Sequence, residues 1–339
     1  MCHLLQWPCN IMERFYAASG PWLLTSKTWP MTVFLLIDNF ESMYLGRTEP
    51  LGPHSNAVRL ILRERGYPQF LDRSSFCLWR MAHERIQARQ ILLREEPDPE
   101  QIEWLNRLDH GITYLRISSN IHQINTIAAA VTKLIQSEQG IKPTVTKRRE
   151  EADKLIHSSQ NLVASIEQWI ADVGEKWRPK VVAGNCALQE SDQDSPSHPS
   201  LPDFLCPRML NYSDIWLAYT WNFHAASQIV LRESLVDTVQ FKNDLEMRES
   251  STEDEELIRA QHQGVQRLSS SIIRSFPQLL GFVHGDVQPP HALPQGKMAG
   301  RYFSLFSLSI VQRARFTSAE HKQTATEVLN WIKSSHQLT

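Results

Sequence analysis

What this 339-residue chain has little of narrows its reading first. Its five cysteines, Cys2, Cys9, Cys77, Cys186 and Cys206, are odd in number and scattered, and no pair has the short spacing of a zinc site. No structural metal is expected. Cys77 lies within a helical pattern, where a reduced, buried thiol and a reducing compartment are the expectation. An excess of one charge is missing as well: 35 basic against 37 acidic residues leave a formal net charge of -2. That balance excludes nucleic-acid binding through overall basicity. No apolar run reaches the roughly 18 residues of a membrane helix. The segment Met1-Cys2-His3-Leu4-Leu5-Gln6-Trp7-Pro8 has no basic stretch leading into an apolar one, so no secretory signal is read. The expectation is a soluble intracellular chain without membrane contact.

Catalytic signatures are absent too. There is no Gly-x-Ser-x-Gly elbow, His-Glu-x-x-His pair, Walker loop or dinucleotide glycine fingerprint. His284-Gly285-Asp286 is similar to the catalytic loop of small-molecule phosphotransferases, where an aspartate is the base and a downstream asparagine holds metal. Here Pro289, Pro290 and His291 stand where that asparagine belongs, and a glycine-rich phosphate loop is missing. A surface loop is expected there. No enzyme, catalytic residue, cofactor or metal ligand is expected. The 13 histidines are dispersed, and His83 reads as a packed or surface side chain.

What is present is helix. Hydrophobic residues make up 42% of the chain, enough for one large domain or two. Apolar positions recur at helical spacing almost throughout, without a series of alternating strands, which predicts an all-α fold: an irregular bundle or stack of antiparallel helix pairs. The reading is a single helical domain over 1–339, with flexible loops at about 184–207, 240–252 and 284–298. The stretch 276–299, rich in Pro and Gly, reads as loop.

Several helices carry their own start and stop signals. Pro30 precedes the almost wholly apolar run from Met31 to Phe40, which should be buried. A helix from Ser55 to Arg65 has Gly66 ready as its C-terminal cap. From Phe76 to Pro97, Phe76, Trp79, Ala82, Ile86 and Leu93 share one face and Arg80, Glu84, Gln87 and Arg94 the opposite one; Ser74 or Ser75 can cap its start. Asp98-Pro99-Glu100-Gln101 combines an N-cap, a first-position proline and a capping-box glutamine. Tyr114, Ile117, Ile121, Ile124, Ala128, Val131 and Ile135 form a heptad seam, either a bundle core or a self-dimerising coiled coil, with sparse flanking charge favouring the core. A helix from Asp214 to about Val239 carries Trp216 and Trp221. Glu253-Asp254-Glu255-Glu256 begins another, and two more, through Phe303 and through Val328, finish the chain.

Two groups of residues are candidates for function. Trp79, Trp216, Trp221 and Phe303 are either core packing or the wall of an aromatic-lined site for an apolar effector. Lys147-Arg148-Arg149 is the one tight basic cluster, either a solvated helix start or a nuclear-localisation signal, and too small to bind DNA specifically.

The helix Phe76–Pro97 resembles the signature helix in the C-terminal regulatory region of fungal zinc-cluster transcription factors. Further segments resemble the same family in the same order. Thr32–Glu41, His54 and Ala57–Gly66 are similar to its helix pair ending in arginine and glycine. Ile215–Asn222 is similar to its aromatic helix ending in Trp-Asn, and Ile272–Gly281 to its stretch of serine and proline before leucine and glycine. Gly300–Phe306 is similar to its closing helix. The resemblance implies an all-α regulatory domain of a fungal transcription factor, nuclear, with the cytoplasm as the alternative location. The family is often associated with the control of metabolite pathways, secondary metabolism among them. It implies action through protein partners of the transcription machinery, a self-dimer or a small apolar effector. It also implies a binuclear zinc cluster on six closely spaced cysteines beside basic residues. This sequence has none, so direct DNA binding is not carried over. A stand-alone interaction or ligand-binding helical protein is the other reading.

Overall fold

The computed structural model describes residues 29–44, 49–71, 73–108, 113–136, 144–183, 208–247, 249–280 and 295–334. Among them are ten α-helices and one two-stranded ribbon, so the fold is all-α. Two compact units divide the chain: the first extends to Trp104 and the second begins at Leu105.

The first unit contains α1 (Trp29–Tyr44), α2 (Ser55–Arg65), α3 (Arg73–Leu93) and most of α4 (Pro99–Asn106). α2 ends as its sequence predicts: Gly66 takes φ +52°, and its N–H reaches the carbonyls of Leu62 and Arg63. α4 begins as predicted too, with Gln101 Oε1 accepting from the Asp98 backbone N–H at 3.0 Å. α3 departs from its amphipathic reading. Trp79, Ala82 and Ile86 are buried, but so are His83, Glu84, Gln87 and Gln90, whereas Leu93 is exposed. The supposed polar face is therefore interior. Ser74 and Ser75 lie within the first turn rather than capping it, and Arg94, at φ +57°, turns the chain out of the helix ahead of Pro97. Cys77 faces solvent, which corrects the expected buried thiol: Ser75, Leu78 and Trp79 turn inward around it while its own position points out.

Polar contacts organise this unit around α3. Asp38 of α1 is 1% exposed; its carboxylate accepts from the Leu51 N–H at 2.5 Å and from Arg85 Nε at 2.7 Å. Arg89 reaches Glu49 and Glu95, and Glu95 also accepts from Arg59 at 2.9 Å. The acids around Arg89 hold its guanidinium above its ordinary range despite burial.

The second unit is built on α7 (Ile215–Glu246), whose 32 residues are buried over most of their length. Around it pack α5 (Thr113–Gln136), α6 (Val145–Asp172), α8 (Thr252–Leu279) and α9 (Gln295–Arg313); α10 (Ala319–Ser334) packs on α9. The heptad seam of α5 is core. Ile124 meets Leu162, Ile166 and Leu231, while Val131 and Leu134 meet Ala152 and Leu155. That seam is consumed within the unit, so it does not serve as a dimerising coiled coil.

Local signals set the helix ends here. The Asp214 carboxylate accepts from the Leu217 N–H at 2.8 Å at the head of α7. Ser251 and Asp254 form a reciprocal capping box on α8. α7 runs seven residues past Val239, so 240–246 is helix, and α8 carries Pro277 inside its last turn. The stretch read as loop from 276 is thus helical to Leu279, and again from Gln295. The loop expected at 184–207 and the His284-Gly285-Asp286 motif lie outside the described residues.

The strands β1 (Lys180–Ala183) and β2 (Arg208–Asn211) pair antiparallel with Lys180 opposite Asn211. The Gln278 side chain ties the end of β2 to α8, accepting from the Tyr212 N–H at 2.7 Å and donating to the Tyr212 carbonyl at 2.6 Å.

Candidate functional site

The four aromatic residues singled out by sequence occupy three different environments. Trp79, in the first unit, is 1% exposed and stacks on His83 at 4.9 Å between ring centroids, with Phe70 edge-on at 5.1 Å. It is core. Trp216 and Phe303 do come together in the second unit, at 4.6 Å. Trp221 stands in a separate group.

Rings from α7 and α9 make up the Trp216 group. Tyr219 lies 4.6 Å from Phe303 and stacks parallel to Phe223 at 6.1 Å; Phe223 meets Phe306 edge-on at 5.0 Å, and Tyr302 borders Phe303 at 5.9 Å. The spacing of Trp216, Tyr219 and Phe223 on α7, and of Phe303 and Phe306 on α9, puts each set on one helix face. Phe223, Phe303 and Phe306 are buried while Trp216 remains 36% exposed, so the cluster opens to solvent at its indole. Such an edge suits an apolar ligand by stacking and area burial.

The Trp221 group was not legible as a set. Trp221 stacks on Trp169 of α6 at 5.8 Å, both half-buried, and His224 packs against both indoles at 5.8–5.9 Å. His224 is fully buried between the amides of Asn120, 3.4 Å from Nε2, and Gln228, 3.5 Å from Nδ1. With no acid within reach among the described residues to hold a proton, burial pushes its pKa down to about 3, and the ring is neutral. The Trp221 indole N–H is buried with no acceptor among the described residues. The contributing helices α5, α6 and α7 meet only in three dimensions, which is why no linear motif announces them.

The basic cluster sits at the start of α6, capped by Thr144, which accepts from the Lys147 N–H at 3.4 Å. Arg148 lies over the Phe241 ring at 4.8 Å, and Arg149 pairs with Glu246 at 2.8 Å. Two of its three cations are therefore engaged with α7. Among the described residues no three His, Cys, Asp or Glu side chains gather as a metal ion would need, and no helix is long and apolar enough to cross a membrane. No family model, no curated protein and no solved structure matches this chain.

Proposed function

We propose that this chain is a transcription-regulator-like protein of the fungal zinc-cluster type, acting through its helical region by way of protein partners or a small apolar effector rather than by contacting DNA. What supports the reading is that the segments resembling that family interlock instead of merely following one another. In the second unit, Asn222 of the Trp-Asn segment is hydrogen-bonded to Ser275 of the serine–proline segment, and Gly300 of the closing segment lies against the Leu279 carbonyl. In the first unit, Asp38 of the earliest segment holds Arg85 of the signature helix. Within each unit, segments that depend on one another physically behave as one framework. In the second unit the aromatic cluster is open at Trp216, where an effector would enter.

Five cysteines without clustering cannot hold a binuclear zinc site, so this chain acts on transcription only through other molecules. A nuclear location belongs to the same reading. The test is a thermal-shift screen of the full chain against apolar metabolites, where at least one should give saturable stabilisation. Alongside it, binding to random and promoter DNA is measured at physiological salt. Tight, salt-sensitive, sequence-selective DNA binding by this chain alone would overturn the proposal.

A further inference from the structure

Arg232, on α7, is 4% exposed, and burial lowers its guanidinium pKa despite a carboxylate partner. Its NH1 donates to Gln261 Oε1 at 2.7 Å and its NH2 to Glu167 Oε1 at 2.6 Å. Its Nε is buried with no partner among the described residues. The edge of a guanidinium formed by Nε and NH2 is the fork on which a carboxylate binds through both oxygens, and Glu167 takes only half of it. Glu167 itself is 52% exposed, on the solvent side of α6. Arg267, 70% exposed, comes within 3.8 Å of the same Glu167 oxygen. The guanidinium lies flat on Gly264 of α8, where a Cβ would come within 2.7 Å of three of its atoms. Arg232 is thus a buried cation packed on Gly264, with the half-exposed Glu167 on its outer edge and Arg267 nearby.

We infer that the Arg232 fork binds the carboxylate of a small organic acid, with Arg267 at its rim, and that Glu167 is a built-in stand-in which swings into water when the acid enters. This site stands apart from the aromatic edge above, since Arg232 lies 16 residues along α7 from Trp216, and its specificity comes from the carboxylate. The planar, two-oxygen carboxylate fits the fork, whereas a neutral amide would present a donor to a guanidinium that has only donors.

The test uses the full chain with hexanoate and benzoate, each against its own amide, hexanamide and benzamide, followed by thermal shift and calorimetry. The acids should raise Tm saturably and the amides should not. Glu167→Ala removes the competing carboxylate, so the acids should bind it about tenfold more tightly than the parent. Arg267→Ser should weaken binding about threefold. Arg232→Met should abolish the acid-specific shift; should that variant not fold, Arg232→Lys keeps the charge without the fork and should lose most of the affinity. No acid-specific shift in either the parent or Glu167→Ala would overturn the inference, as would undiminished binding in the Arg232 variants. Stabilisation by neutral apolar compounds but not by acids would sink this inference alone. Stabilisation by neither class would sink the effector reading with it.

Discussion

Asn222 and Ser275, 53 residues apart in sequence, meet in the interior of the second unit, where the Asn222 amide donates to Ser275 Oγ at 2.6 Å. The single hydroxyl proton of Ser275 then has the Ile272 carbonyl at 2.7 Å or Asn222 Oδ1 at 2.9 Å as its acceptor. Both residues are buried at 2% exposure or less, so each polar group is matched where water cannot substitute. This bond fixes the register of α7 against α8.

Removing both partners should therefore cost less than the sum of removing each alone. Asn222→Ala and Ser275→Ala each leave a buried polar group short of a partner, at about 1–3 kcal/mol. A double-mutant cycle read by urea denaturation should give a coupling of about 1 kcal/mol. Strict additivity would show that the pair does not act as a unit.

Gly300 and Gly264 should each resist alanine, although alanine is the better helix former by about 1 kcal/mol. At Gly300 a Cβ would sit 1.6 Å from the Leu279 carbonyl oxygen, a backbone atom that cannot step aside, so Gly300→Ala should separate α9 from the end of α8 and lower Tm by several degrees. At Gly264 the clash is with the Arg232 guanidinium, and the loss should be smaller in Gly264→Ala when Arg232 is also Met. A gain of stability in the single Gly300→Ala variant would refute the close approach.

His224 should make the second unit acid-labile. Its pKa falls from an ordinary 6.5 to about 3 on folding, so between those values the unfolded chain binds the extra proton and the folded chain does not. Stability is thus complete above about pH 6.5 and declines as pH falls toward 3, by up to about 1.4 kcal/mol per pH unit. The burial-lowered His122 and His262 act in the same direction. Tm measured against pH should show this slope, and His224→Gln should flatten it.

The aromatic edge separates stability from ligand binding. Phe303→Ala should cost about 3–5 kcal/mol as a core truncation. Trp216→Ala, at a partly exposed indole, should cost about 1 kcal/mol and abolish the stabilisation given by an apolar ligand at that site. Unchanged ligand response in Trp216→Ala would place the effector elsewhere.

In the first unit, Asp38→Ala removes the acceptor that Arg85 and the Leu51 N–H share in a buried setting. The expected loss is about 3–5 kcal/mol. Because Leu51 sits at φ +59°, the turn before α2 should loosen first, visible as faster amide exchange at Leu51 and His54.

The sequence by itself determined what local chemistry can decide. Gly66 ends α2, Asp98 and Gln101 begin α4, Asp214 begins α7, and the seam of α5 is apolar, because each depends on residues within a turn or two of one another. Tertiary structure alone decided what depends on distant partners. α3 reads as amphipathic, yet its interior polar residues show that burial was set by what surrounds the helix, which periodicity cannot report. The division at Trp104 and Leu105, the pairing of Asn222 with Ser275, and the meeting of Trp216 with Phe303 all need helices brought together from far along the chain. Arg232 gives the clearest case. In sequence it is one arginine among many, and only the placement of Glu167, Gln261, Gly264 and Arg267 around it makes a buried fork with one edge half filled.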